Sequence, residues 1–210
     1  MKKILLASSL MLAALTSFAS GSIIAGTSQP GTRFPIYAPE PSHPYVQIHG
    51  NSAIGQPSGT TVYGGSLLSG TRYVMEFWAG PESATDFSGL TLIHSTTFRS
   101  APATPEALPN GLVYGEQKFV LDVLPGERAQ LAMRAWDTES GPDFDSALVR
   151  GQGNLFLSAP LGGNPATGGI PLISPNWVGE SFSLAVIPEP SSLALAGLGA
   201  ATLLIFRRRK

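Results

Sequence analysis

The sequence predicts an all-β protein: a β-sandwich of jelly-roll type with long Gly/Pro-rich loops, set between an apolar N-terminal helix and an apolar C-terminal one. Three observations point there. The chain holds 24 glycines and 18 prolines in 210 residues, a level that suits a turn-rich β-domain. Apolar residues in its middle recur with period two, in short runs divided by turn signals. No long stretch of residues 20–187 carries a helical period.

The elements follow in order. Residues 45–48 (YVQI) read as a first strand. Residues 71–79 (TRYVMEFWA) give the clearest one, with Tyr73, Met75 and Phe77 on one face and Arg72, Val74, Glu76 and Trp78 on the other. Residues 90–98 follow. Residues 118–124 and 128–136 are expected to form a hairpin across the Pro125-Gly126 turn. In the second of these, Ala129, Leu131, Met133 and Ala135 alternate with polar positions such as Arg134, the pattern of a half-buried strand. Residues 144–150 suggest a helical turn or two, and residues 155–157 and 182–187 complete the set. Residues 28–44 and 158–176, rich in Pro and Gly, read as long surface loops.

Composition excludes several function classes. Cysteine is absent, so disulfides and thiol chemistry are ruled out. Six of the 13 basic residues sit at the two ends; residues 20–187 hold 7 basic against 13 acidic residues, a net of −6. That balance offers no footprint for nucleic acid.

The ends carry the most specific information. Lys2 and Lys3 precede an apolar core at residues 4–15, and small residues at Ser17 and Ala19 place a cleavage site after Ala19. Residues 1–19 therefore read as a signal peptide. At the other end, residues 193–206 form an apolar run of 14 residues, short for a membrane span. Pro188 and Pro190 forbid helix just upstream of it. The basic cluster Arg207, Arg208, Arg209 and Lys210 acts as a stop on the cytoplasmic side. The two ends thus agree on export of everything between them: residues 20–187 as ectodomain, residues 188–210 as tail.

The order Pro188-Glu189-Pro190, spacer, short apolar helix and terminal basic cluster resembles the PEP-CTERM class of sorting tails. The resemblance implies recognition by an exosortase in a Gram-negative bacterium that makes exopolysaccharide. It also implies a transient membrane anchor through the C-terminal helix, then release to the cell surface or extracellular matrix. Pro188, Glu189 and Pro190 are then a recognition element read by another enzyme. A permanent anchor with a stiff Pro-Glu-Pro spacer is the alternative. Three blocks of the middle, at residues 60–73, 95–99 and 134–137, resemble exported proteins with the same tail, whose ectodomain has no known function.

Candidate chemistry is sparse. His43, His49 and His94 have no zinc-ligand spacing, and no nucleophile elbow or phosphate-cradling loop is present. Glu76, Glu116 and Asp122 lie near strands, as a glycosidase pair would, but equally as solvated strand carboxylates do. Asp137, Glu139, Asp143 and Asp145 cluster around a Gly-Pro turn and offer oxygen ligands to calcium, or form a polar surface turn. Trp78 and Trp136, with Trp177, Tyr63 and Tyr73, can stack on sugar rings or pack the sheet. The expectation is a structural or adhesive surface protein, not an enzyme, with no cofactor beyond that calcium candidate. The alternative is a carbohydrate-binding module for the cell's own exopolysaccharide.

Overall fold

The computed structural model describes residues 20–29, 31–100, 110–163 and 179–188. The fold is all-β, its one helical element being a single 3-10 turn among the described residues, Phe87–Gly89. The strands are β1 (Gly21–Ala25), β2 (Ser28–Gln29), β3 (Thr32–Arg33), β4 (Tyr73–Pro81), β5 (Thr91–Thr97), β6 (Glu116–Val120), β7 (Ala129–Asp137), β8 (Val149–Gln152), β9 (Phe156–Leu157) and β10 (Ala185–Val186). The main sheet has the order β10-β8-β7-β4-β5, all antiparallel, with β9 pairing the far half of the β7 edge that β8 pairs. A separate ladder joins β1 to β6, and β2 pairs β3.

The period-two reading of β4 and β7 holds. Their nine-residue ladder runs from Tyr73↔Asp137 to Pro81↔Ala129. Met75, Phe77 and Ala79 share the buried face with Leu131, Met133 and Ala135. Ile23 and Ala25 of β1, Val120 of β6, and Phe34, Ile36, Phe182 and Leu184 complete that core. Each large apolar side chain removed from water there contributes roughly 1.5–3 kcal/mol.

The pairing expected across Pro125-Gly126 does not form. β6 pairs β1 and β7 pairs β4, so residues 121–128 arch from one layer to the other. Two residues in this arch have positive φ: Asp122 (61°), a residue type that tolerates the left-handed region, and Gly126 (88°). Three further readings are corrected. Residues 45–48 are turn and irregular backbone, not a strand. Residues 28–44 are not a surface loop: Phe34 and Ile36 are fully buried, and Ile36 N–H donates to Gly111 O at 2.9 Å while Leu68 N–H donates to Ile36 O at 3.1 Å. Residues 149–152 are strand β8 rather than the end of a helical turn.

β5 is an exposed edge whose register shifts opposite Phe77/Trp78, a bulge that disfavours edge-to-edge pairing. His94 on β5 lies at 6.0 Å from the Phe77 ring, and its Nε2 is 3.4 Å from Glu116 of β6. Burial, assisted by Lys118 and opposed by Glu116, lowers its pKa below the ordinary histidine value. The unfolded chain therefore binds that proton more readily than the folded one. The stability from neutral His94 is complete above about pH 6.5 and is lost as pH falls below it. Melting scans at about pH 7.5 and 5.5 check this: the drop should be smaller in His94→Gln than in the native chain, and equal drops would remove the linkage.

Candidate sorting site and domain surfaces

The fold uses the chain right up to its exit. Residues 181–187 thread between the β8 edge and residues 37–49. Tyr37 N–H donates to Phe182 O (3.0 Å), Ser183 N–H to Ile48 O (2.9 Å) and Leu184 N–H to Tyr37 O (2.8 Å). β10 then pairs β8 as Ala185↔Arg150 and Val186↔Val149. On its other side Val186 N–H donates to Pro44 O at 2.7 Å, and Ile187 N–H donates to Leu148 O at 2.6 Å. Pro188 has no N–H to continue either ladder. Of the sorting triplet, Pro188 is described and exposed, while Glu189 and Pro190 lie outside the described residues. So do residues 1–19, expected to be a signal peptide, Trp177, the apolar run, and Arg207, Arg208, Arg209 and Lys210. Among the described residues no helix is long and apolar enough to cross a membrane.

On the outer face of the main sheet the two candidate tryptophans have different surroundings. The Arg134 guanidinium lies 4.5 Å from the Trp78 ring and 4.6 Å from the Phe144 ring, and its Nε donates to Glu76 Oε2 at 2.5 Å. Trp78 Nε1–H donates to the same Glu76 oxygen at 3.1 Å, and its ring meets Phe87 edge-on at 6.1 Å. Trp78 stays half-buried. Trp136 is only 5% exposed: residues 138–148 fold back over it, Phe144 meeting it edge-on at 6.4 Å and Ala147 packing beside it. A sugar ring has no open face of Trp136 to stack on. Sequence reading missed Phe144 as the cover, because the loop that carries it otherwise looks polar.

This arrangement makes Arg134 the centre of the outer face, with Glu76 only 9% exposed. Arg134→Ala would strip Glu76 of its cation and open the stack on Trp78 and Phe144. The expected loss is roughly 2–3 kcal/mol, below the ~3–5 of a fully buried pair because both side chains keep some water contact. Chemical denaturation of the variant against the native domain checks it.

The acidic turn is committed internally. Asp137 accepts three N–H bonds from Arg72, at 3.0, 3.0 and 2.5 Å, and one from Glu139 N–H at 3.0 Å. Glu139 lies 3.0 Å from the same guanidinium. Asp143 accepts from Ser146 N–H at 2.9 Å, and this bond holds its carboxyl below the usual range. The Asp145 carbonyl, with that of Phe144, takes the Arg150 guanidinium. Among the described residues no group of three or more His, Asp or Glu side chains is arranged to hold a metal ion.

The remaining candidates are dispersed. Tyr63 stacks on Tyr37 at 3.9 Å, its hydroxyl lies within hydrogen-bond distance of Gly50 O (2.7 Å) and Ser181 O (2.9 Å), and burial raises its phenol pKa. Tyr73 packs edge-on against Phe98 at 6.5 Å. Glu116 is paired with Lys118 at 2.8 Å. Asp122 lines an open cleft of about 490 Å³ with Glu82, Glu127 and Arg128, at the opposite end of the sheet from the chain exit. His49 and Asn154 both approach Glu180, and His43 bonds Ser42 in an exposed turn.

Neither the curated proteins nor the solved structures hold a significant match to this chain. The family model described as the PEP-CTERM protein-sorting motif matches residues 186–210. Its first matched residue, Val186, is thus the last residue of β10. The chain carries a PEP-CTERM protein-sorting motif at residues 186–210, and that motif grows directly out of the edge strand of its β-domain.

Proposed function

We propose that the chain is a structural or adhesive protein of the cell surface or extracellular matrix of a Gram-negative bacterium, exported, held by its C-terminal helix and then released by an exosortase. The PEP-CTERM motif marks it as an exosortase-sorted extracellular protein. The observation that carries the reading is the direct continuation of β10 into that motif, which makes the β-domain the cargo that sorting delivers. Its architecture is read as a jelly-roll-type sandwich whose second sheet is reduced to the β1-β6 ladder. A structural rather than catalytic role is supported by the occupation of its strand carboxylates: Glu76 by Arg134, Asp137 by Arg72, Glu116 by Lys118. The proposal assigns no cofactor, and the acidic turn serves to brace Arg72 and Arg150.

Fractionation of the native host beside a strain lacking its exosortase tests the sorting arm. The protein should be extracellular in the first and stay with the membrane in the second. An identical distribution would overturn it.

Binding to the cell's own exopolysaccharide is the second reading, favoured by Trp78. That ring is half-buried beside Arg134 and Glu76, opposite exposed Leu92 of β5, with exposed Ser95 opposite Glu76. Retention on the producer's polysaccharide, reduced in Trp78→Ala and competed by soluble sugar, is the expected result. Absence of retention removes this reading.

A further inference from the structure

We infer that the turn carrying Tyr45 and Val46 is a foot by which the domain rests on the lipid surface while its tail is still in the membrane. The inference rests on the anchored stage of the reading above. Tyr45 is 65% exposed, Val46 54% and Ile187 37%. The turn lies against the chain exit, since Val186 N–H donates to Pro44 O at 2.7 Å and Val46 N–H closes the turn onto His43 O at 3.0 Å.

The length of chain beyond the fold sets the distance. Residues 188–192 separate Ile187 from the apolar run that starts at Leu193. The six residue steps from Ile187 to Leu193 reach at most about 22 Å when fully extended, and about 19 Å in the polyproline conformation that two prolines favour. The polar zone of one leaflet is itself roughly 5–7 Å deep. The end of the domain from which the tail leaves is therefore held within about 15 Å of the headgroup surface. Tyrosine is suited to that level because its ring is apolar and its hydroxyl is wet.

Charge selects which part of that end touches. Glu139, Asp143 and Asp145 are exposed in the loop after β7, which closes the same end of the sheet. Residues 41–48 carry no carboxylate. Within a domain of net charge −6, the uncharged turn is the part that approaches lipid at least electrostatic cost. The occupant is therefore the lipid interface itself.

The absence of cysteine permits a direct test. The full mature chain, tail included, is labelled with a fluorophore at Val46→Cys or at Leu124→Cys and reconstituted into phosphatidylcholine vesicles bearing nitroxide headgroups. Leu124 is exposed in the arch at the far end of β7, about 30 Å away by strand length. The expected result is that the Val46 signal falls by half or more while the Leu124 signal is unchanged. Flotation of the vesicles is scored in parallel. Chain that floats with Val46 unquenched would overturn the foot, leaving the turn to a protein partner. Chain that does not float would overturn the anchored stage itself, and the inference with it.

Discussion

Arg72→Ala is expected to cost the domain about 3 kcal/mol. Asp137 is 2% exposed at the end of β7, and three of its hydrogen bonds come from the Arg72 guanidinium. Those bonds in turn raise the guanidinium pKa above its ordinary value. Removing the cation leaves a buried carboxylate with only the Glu139 N–H among the bonds described. The expected loss sits at the lower end for a broken buried pair because Arg72 itself is half exposed. Arg72→Lys should recover part of it, since a point charge cannot reproduce the fork. Arg72→Ala combined with Asp137→Ala should be less damaged than Arg72→Ala alone, because the stranded charge is gone. Chemical denaturation of all four chains measures this. A change of less than about 0.5 kcal/mol in Arg72→Ala would mean that Asp137 finds another partner.

Phe182→Ala is the other large expected effect, about 3–5 kcal/mol. Its ring is fully buried, and its carbonyl accepts from Tyr37 N–H at 3.0 Å just before β10. Domains of this size hold roughly 5–15 kcal/mol in total, so the loss is a large share of the whole. It has a second consequence, because the same residues are the root of the sorting tail. Loosening Phe182 and Leu184 would free β10 from β8 and from Pro44, and hydrogen exchange at Val186 and Ile187 should quicken far more than at β4. A stability loss of about 1 kcal/mol or less would place the tail outside the cooperative core.

Legibility of the fold followed the range of its signals. β4 and β7 could be read because alternation is local: each second residue faces the core, whatever the strand pairs with. Pairing is not local. Pro125-Gly126 is a good tight-turn signal, yet β6 serves β1 and β7 serves β4, because the core needs a second layer more than it needs that hairpin. β1 begins two residues after the expected signal-peptide cleavage site, and GSIIA reads as a leader's end rather than a strand. Phe34 and Ile36 stand apart among Pro, Thr and Gly, so their segment looked superficial, although both are fully buried. Hydrogen bonds from Phe34 N–H to Thr27 O, and between Ile36 and residues 68 and 111, hold them there.

The functional residues divide in the same way. The sorting tail was legible because its signal is linear: the order of motif, apolar run and cations is carried by adjacent residues and is what the family model matches. The roles of Trp78 and Trp136 were not. The two lie on one face of adjacent strands, but Phe144, folding back from the loop just after β7, buries one and leaves the other half open. For the acidic turn the sequence left open calcium ligands or a polar surface turn, because it does not show that Arg72 and Arg150 lie beside it.

The most direct test of the central claim, that residues after Ile187 are a disposable address joined without spacer to a folded cargo, is the intact mass of the protein from the extracellular and membrane fractions of the native host. The expected extracellular species begins at Ser20, keeps β10 through Ile187, and ends at or just beyond Pro188, Glu189 and Pro190. An extracellular species that still ends at Lys210, or full-length mature protein found only in the membrane, would contradict it.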